Sequence, residues 1–137
     1  MEYLRAELHC HNVFSNGHVG SLEPIHDCNV TIPQQLEQAY LAGLNVLFVT
    51  NHNTVDGYKQ MLEYKKNHQK FDELKVYPAE EVTTNNEAHV LVYGIDHVIK
   101  SGLSLHEILD EAKKQNAVTV APHPFSLLDA LRDDSIY

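Results

Sequence analysis

The chain has 137 residues, of which 43% are hydrophobic, and this is an ordinary size and composition for one globular domain with a buried core. Its formal net charge of -9 argues against a surface that binds polyanions non-specifically, unless bound cations intervene. No window approaches the roughly 18 apolar residues of a membrane span, and no basic, apolar leader is present, so we expect a cytoplasmic protein without a membrane partner.

Strands and helices alternate in the first half of the predicted structure. A strand at residues 3–9 is followed by a long loop rich in Gly, Pro, Asn and Ser, and then by a helix from about Pro33 to Ala42. The continuous apolar run at residues 45–50 is typical of a strand that is buried on both faces, as in a parallel sheet.

The same alternation continues in the second half. Further apolar, β-branched runs predict strands, the last of them buried, at residues 75–84, 88–95 and 117–121. Helices are predicted between and after the strands, at residues 54–71, 105–115 and 126–134. Ser104 and Glu107 form a capping box for the second of these helices. Because strands alternate with helices, we expect an α/β fold with parallel strands in a sheet or barrel.

Histidine and carboxylate side chains follow the ends of four predicted strands. These residues are His9, His11, His52, Glu80, Glu81 and His123. A His-x-His pair alone carries little weight, because ten histidines in 137 residues produce about one such pair by chance. In parallel α/β folds, however, the carboxyl ends of the strands share one edge. Since imidazole and carboxylate groups suit zinc, manganese and iron, we predict a metal site there rather than a set of surface histidines.

The long loop after the first strand offers further ligands. His18, His26 and Asp27 all lie close in sequence to His11. We select Asp27 to complete the site, because a carboxylate can bridge two metal ions, and keep His18 and His26 as alternatives. His89 is another alternative, since it opens a strand and faces either the core or the edge of the sheet.

The order of these motifs resembles that of the PHP family, the polymerase and histidinol phosphatase superfamily of metal-dependent phosphoesterases. The matching segments are ELHCHNVFSNG, VTNHNT, PAEEVT and APHPF. The resemblance implies that residues 1–137 are a single PHP domain and form part of a distorted seven-stranded βα barrel of the TIM-like type. It also implies two or three divalent metal ions, zinc, manganese or iron. The ligands that the resemblance implies are His9, His11, His52, Glu81 and His123.

Three features depart from the family pattern. Asn16 stands where the family usually has an acidic residue, and for this reason Asp27 is expected to act instead. Asn51 and Asn53 flank His52, where the family often has Asp. The family's last motif, an Asp-x-His pair, has no counterpart here, so we expect the chain to be the N-terminal part of a longer domain.

The resemblance implies a hydrolase that cleaves a phosphate ester with a metal-activated water and without a side-chain nucleophile. The expected substrate is a nucleotide, a nucleic-acid end or a small metabolite phosphate, and nucleic acid would enter only as a phosphoester substrate. A metal-dependent amidohydrolase also begins with His-x-His, but it generally carries a strand-end Lys that no predicted strand has here. The other alternative is a non-catalytic, metal-binding PHP module with a structural or partner-binding role.

Overall fold

The computed structural model describes residues 3–18 and 26–124, so the predicted helix at residues 126–134 lies outside the described part of the chain. Five strands form one sheet in chain order: β1 (Ala6–Glu7), β2 (Val46–Val49), β3 (Lys75–Thr83), β4 (His89–Tyr93) and β5 (Val118–Val120). The α-helices of this part are α1 (Ile32–Leu41), α2 (Asp56–Lys66) and α3 (Leu105–Lys114). None of these helices has the length and apolar character that crossing a membrane requires.

The sheet is mixed, and the predicted seven-stranded βα barrel of parallel repeats is wrong. β1, β2 and β3 run parallel, whereas β4 is antiparallel to both of its neighbours, β3 and β5. The reason is the short connection between β3 and β4, in which the Thr84 N–H donates to the Ala88 carbonyl at 2.8 Å. A parallel crossover needs a dozen or more residues, so a turn of this length returns the chain antiparallel. The described residues form five strands and three α-helices, not a TIM-like barrel.

Most helices and strands of the structure lie close to the positions predicted from the sequence. The capping box at α3 is confirmed, because the Ser104 N–H donates to Glu107 Oε2 at 2.8 Å. Two elements are shorter than predicted by more than three residues. β1 is a two-residue strand, and the helix predicted over residues 54–71 ends at Lys66 and is followed by a separate 3-10 turn, Gln69–Phe71.

The core divides into two clusters on the helix-covered face of the sheet. The first joins α1 and α2 to β2 and the start of β3, and the second joins α3 to β4 and the end of β3. Side chains alternate along a strand, so Val76, Glu80 and Val82 share this helix-covered face, while Glu81 and Thr83 point to the other face. Each fully buried aliphatic side chain stabilises such a core by about 1.5–3 kcal/mol.

The face of the sheet opposite the helices is partly open, and this corrects two burial predictions. Val118 and Val120 of β5 are 62% and 45% exposed, although the strand was predicted to be buried. On β2, Val46 and Phe48 are half-buried rather than fully covered. The cause is the same in both strands, because the described helices pack against the other face only.

Candidate metal centre

The edge of the sheet that carries the site is set by strand direction. β1, β2, β3 and β5 run the same way, so the segments that follow β1, β2 and β5 reach one edge together. The segment after β2 continues along β3, where His52 forms a parallel backbone bridge with Glu81. The Glu81 N–H donates to the Asn51 carbonyl at 3.1 Å, and the Asn53 N–H donates to the Glu81 carbonyl at 3.0 Å.

Glu81 lies at the centre of five histidines. We define the Glu81 cluster as Glu81 with His9, His11, His52, His89 and His123. One carboxylate oxygen, Oε2, lies 2.9 Å from Nε2 of His9, 2.9 Å from Nε2 of His11 and 3.8 Å from Nε2 of His52. The other oxygen, Oε1, lies 3.0 Å from Nδ1 of His89 and 3.1 Å from Nε2 of His123. Of the six predicted ligand residues, four histidines, His9, His11, His52 and His123, therefore surround Glu81, and the sixth residue is Asp27.

Two groups of three residues in this cluster have the spacing of metal ligands. The inner group is His11, His52 and Glu81, and the outer group is His9, Glu81 and His123. Within each group the ligand atoms all lie within 4.8 Å of one another. Ligand atoms around a tetrahedral zinc ion are separated by about 3.3–3.6 Å, since each bond measures about 2.0–2.2 Å. Imidazole nitrogens and a carboxylate are also the donor set of zinc, manganese and iron sites, so these residues fit the expected ions.

The carboxylate of Glu81 is ionised despite being only 1% exposed. Burial by itself raises the pKa of a carboxyl group, but hydrogen bonds from His11, His89 and His9 outweigh it and hold the pKa of Glu81 well below its usual range. A buried, ionised carboxylate is available for coordination without losing a proton.

His52 is held in its neutral form. Burial lowers the pKa of His52 to about 4, and this effect is stronger than the attraction of the Glu81 charge. Its Nδ1 atom is buried and has no hydrogen-bond partner within residues 3–18 and 26–124. Neutral imidazole is the form that binds a metal ion, and the ring nitrogen that faces the cluster is Nε2, which lies 3.8 Å from Glu81 Oε2.

Asp27 reaches the cluster through His11. Its Oδ2 atom lies 2.7 Å from His11 Nδ1, while His11 Nε2 faces Glu81. Its Oδ1 atom lies 4.0 Å from His52 Nε2, but Asp27 belongs to neither group of three. A carboxylate bound to the second nitrogen of a ligating histidine orients that ring and raises its basicity. The geometry gives Asp27 this orienting contact, and its direct ligation of a metal stays a prediction.

The other loop residues lie outside the two groups. The Nε2 atom of His26 lies 2.7 Å from Asn29 Oδ1, and His18 is exposed and contacts Asn53 through its backbone carbonyl. Asn16 anchors the loop instead of facing the cluster, since its Oδ1 accepts the N–H groups of Asp27 and Cys28 at 2.6 Å and 3.0 Å. Asn16, which stands where the PHP motif that this sequence resembles has an acidic residue, therefore holds Asp27 in place.

His89 is the cluster member that sequence reasoning left open. An all-parallel sheet would put the start of β4 at the edge opposite the ends of β1 and β2. Because β4 is antiparallel, its first residue lies at the same edge as those ends, and it pairs with Thr83 on the Glu81 face. The signal in the sequence was the short polar stretch Asn85–Glu87 between two apolar runs, which favours a hairpin.

The fold and the site together define a small mixed α/β domain with a buried glutamate surrounded by histidines. No family model matches the sequence. The chain is 31% identical over 136 residues to Uncharacterized protein MJ1587 of Methanocaldococcus jannaschii, in an alignment that covers 98% of this chain and 75% of that protein. The chain belongs to the same family as that protein.

A solved structure shares the fold. The crystal structure of PsfC from Pseudomonas syringae PB-5123 matches with a TM-score of 0.58 at 19% sequence identity. The match covers 95% of this chain and 57% of the PsfC chain, so the chain spans little more than half of that protein's length. At this level of identity the likeness concerns the fold alone.

Proposed function

We propose that the Glu81 cluster binds two divalent metal ions, zinc, manganese or iron, and that the protein hydrolyses phosphate esters. The observation that carries the proposal is that one buried carboxylate, Glu81, is shared by the inner and the outer group. Hydrolytic two-metal sites place their ions about 3.5–4 Å apart, and a shared carboxylate is a means of holding two ions at that spacing.

The outer and inner groups differ in their exposure to solvent, and we propose different roles for them. When bound, the ions supply Lewis acidity toward a phosphoryl oxygen and lower the pKa of a coordinated water. The side chains of His9 and His123 are 33% and 35% exposed, so the outer group is the side from which a substrate phosphate approaches. His52 and Glu81 exclude water from the inner group, where they are almost completely buried.

The acidity of the chain supports a role for bound cations. Among the described residues, no lysine or arginine forms an ion pair with Glu81, whose ion-pair partners are all histidines. With a net charge of -9 on the whole chain, metal ions would be the positive charges that attract a phosphate to this cluster.

The order of the motifs resembles that of the PHP family, and this resemblance supports metal-dependent phosphate ester hydrolysis. The proposal does not include the seven-stranded barrel of that family. The substrate would be a nucleotide, a nucleic-acid end or a small metabolite phosphate. We also propose a cytoplasmic location, with which the two free cysteines, Cys10 and Cys28, are compatible.

Hydrolysis assays on the metal-loaded protein test the proposal. The protein would be loaded with Mn²⁺ or Zn²⁺ and assayed with p-nitrophenyl phosphate, bis(p-nitrophenyl) phosphate, AMP and a short oligonucleotide. We expect metal-dependent release of product that His52→Ala removes and that His106→Ala, on the exposed face of α3, leaves unchanged. Equal rates in the unmodified protein and the His52→Ala variant would refute it.

A second candidate is a non-catalytic, metal-binding module, and the position of Asn16 favours it. Because Asn16 is used to anchor the loop at Asp27, the described site has one acidic ligand fewer than the related motifs. Stoichiometric metal binding without hydrolysis of any of these four substrates would support this candidate.

A further inference from the structure

A group of buried amide side chains lies directly behind the inner group. Asn12 follows His11 in the chain and is 0% exposed, and Asn51 precedes His52 and is 1% exposed. Buried amides are costly unless each donor and acceptor finds a partner, so their hydrogen bonds determine what they do.

Asn12 and Asn51 bind each other reciprocally. The backbone N–H of Asn12 donates to Asn51 Oδ1 at 2.9 Å, and Asn51 Nδ2 donates to Asn12 Oδ1 at 3.0 Å. Asn12 Oδ1 also accepts the N–H of Phe14 at 3.0 Å. These bonds link the segment after β1 to the segment after β2 at the residues next to His11 and His52.

Gln35 of α1 extends the contact to the backbone of a ligand residue. Asn12 Nδ2 donates to Gln35 Oε1 at 2.9 Å, and Gln35 Nε2 donates to the His11 carbonyl at 3.2 Å. The backbone of His11 is therefore held from the helix side, while the His52 N–H donates to Ser15 Oγ at 2.9 Å. Both histidines are therefore held at their main chain by other residues of the chain.

Gly57 makes room for this pair of amides. A Cβ atom at Gly57 would lie 2.8 Å from Asn51 Nδ2 and 3.0 Å from Asn12 Oδ1, which is too close for either atom to stay in place. Glycine within a helix is less favourable than alanine, yet it occupies the first turn of α2. The close approach of the amide pair accounts for this choice.

We propose that Asn12 and Asn51 are positioning residues that set the spacing of His11 and His52, and that Gly57 is required because it leaves space for them. The inference rests on the metal site of the proposed function. It assigns the three residues no contact with a metal ion or a substrate, so their effect is transmitted through the two histidines.

Cobalt titrations in two backgrounds test this role. The His9→Ala variant keeps the inner group complete and the His52→Ala variant keeps the outer group complete, and Co²⁺ binding to each is followed by visible absorption. Adding Asn51→Ala should weaken cobalt binding at least tenfold in the His9→Ala background and less than threefold in the His52→Ala background. Asn67→Ala, at the exposed end of α2, is the matched control and should change neither.

Gly57→Ala provides a second and independent variant. Alanine favours the helix more than glycine does, so a loss of cobalt affinity cannot be assigned to helix propensity. We expect the same tenfold loss, confined to the His9→Ala background, together with an altered cobalt spectrum, and this variant decides the matter if Asn51→Ala does not fold.

Three results would overturn the proposal. Binding within threefold of the parent for both Asn51→Ala and Gly57→Ala would remove the positioning role, and so would equal losses in the two backgrounds. Failure of the His9→Ala and His52→Ala parents themselves to bind cobalt would instead refute the metal site, and the positioning role would be lost with it.

Discussion

The two neighbouring glutamates of β3 are almost equally buried, but they lie in opposite environments. Glu81 faces the histidines, and its pKa is held well below its usual range by hydrogen bonds from His11, His89 and His9, which outweigh burial. Glu80 faces the helix-covered core, and burial raises its pKa to about 7. Its Oε1 accepts the Ile99 N–H at 2.6 Å, and its Oε2 has no partner among the described residues.

The difference shows that the partners of a buried carboxyl group decide its ionisation. Burial acts in the same direction on Glu80 and Glu81, since it disfavours the charged form of both. Only Glu81 has imidazole groups that stabilise its negative charge. One face of β3 therefore holds an anionic carboxylate among histidines, and the other holds a carboxyl group whose pKa burial raises to about 7.

The difference between Glu80 and Glu81 is tested most strongly by replacing each with glutamine, which has nearly the same shape but no charge. Glu81→Gln removes the carboxylate that both groups share, so we expect it to abolish binding of metal at the inner and outer groups together. Glu80→Gln should keep the metal content of the unmodified protein, because Glu80 points away from the cluster. Elemental analysis after reconstitution with Zn²⁺ and gel filtration measures both. Loss of metal in Glu80→Gln alone would reverse our assignment of the two faces.

Removal of a single inner ligand should have the next largest effect. His52→Ala leaves the inner group with two ligands. We expect zinc affinity at that group to fall at least about 100-fold, because even the loss of a residue that only orients a ligand costs about 10–100-fold. Competition with a chromophoric chelator gives the affinity. His106→Ala serves as the control, since His106 is exposed on α3, and an equal loss there would contradict the arrangement of the site.

The pH dependence of stability should distinguish the two glutamates in the metal-free protein. The pKa of Glu80 rises from 4.5 in the unfolded chain to about 7 in the folded state, so the folded state holds its proton more tightly. Its contribution to stability is complete below pH 4.5 and is lost as the pH rises through 7. Between pH 5 and pH 8 this loss amounts to about 2 kcal/mol.

Urea unfolding of the unmodified protein and of Glu80→Gln, both in the presence of a chelator, measures that loss. The free energy of unfolding should fall less between pH 5 and pH 8 in Glu80→Gln than in the unmodified protein. Other titrating groups are common to both proteins and cancel in the difference. Identical pH profiles would mean that Glu80 is ionised in the core.

The smallest effect is expected from His89→Ala. His89 contacts Glu81 Oε1 at 3.0 Å but belongs to neither group of three, so its loss should leave both sets of ligands complete. We expect zinc affinity to fall about tenfold, through a less firmly held Glu81. The same chelator competition measures it. A loss as large as that of His52→Ala would make His89 a direct ligand.

Much of the site could be predicted because its parts are local. The apolar runs that end near His9, His52 and His123 are short, continuous signals, and strands that run the same way bring their ends to one edge. The prediction that these histidines meet around Glu81 needed only the order of the strands and their common direction. The sequence by itself determined the positions of the strands and the residues that lie at their ends.

The tertiary structure decided which face and which direction each element has. Positions 80 and 81 are both glutamate, and only the packing of the helices against β3 makes one residue a core carboxyl group and the other the centre of the histidine cluster. The turn after Thr83 reverses β4, which removes the expected barrel and brings His89 to the site. Burial of β5 also depended on the position of the helices. The faces and the burial rest on contacts between residues far apart in the chain, whereas the reversal of β4 had a local signal in the short polar stretch Asn85–Glu87.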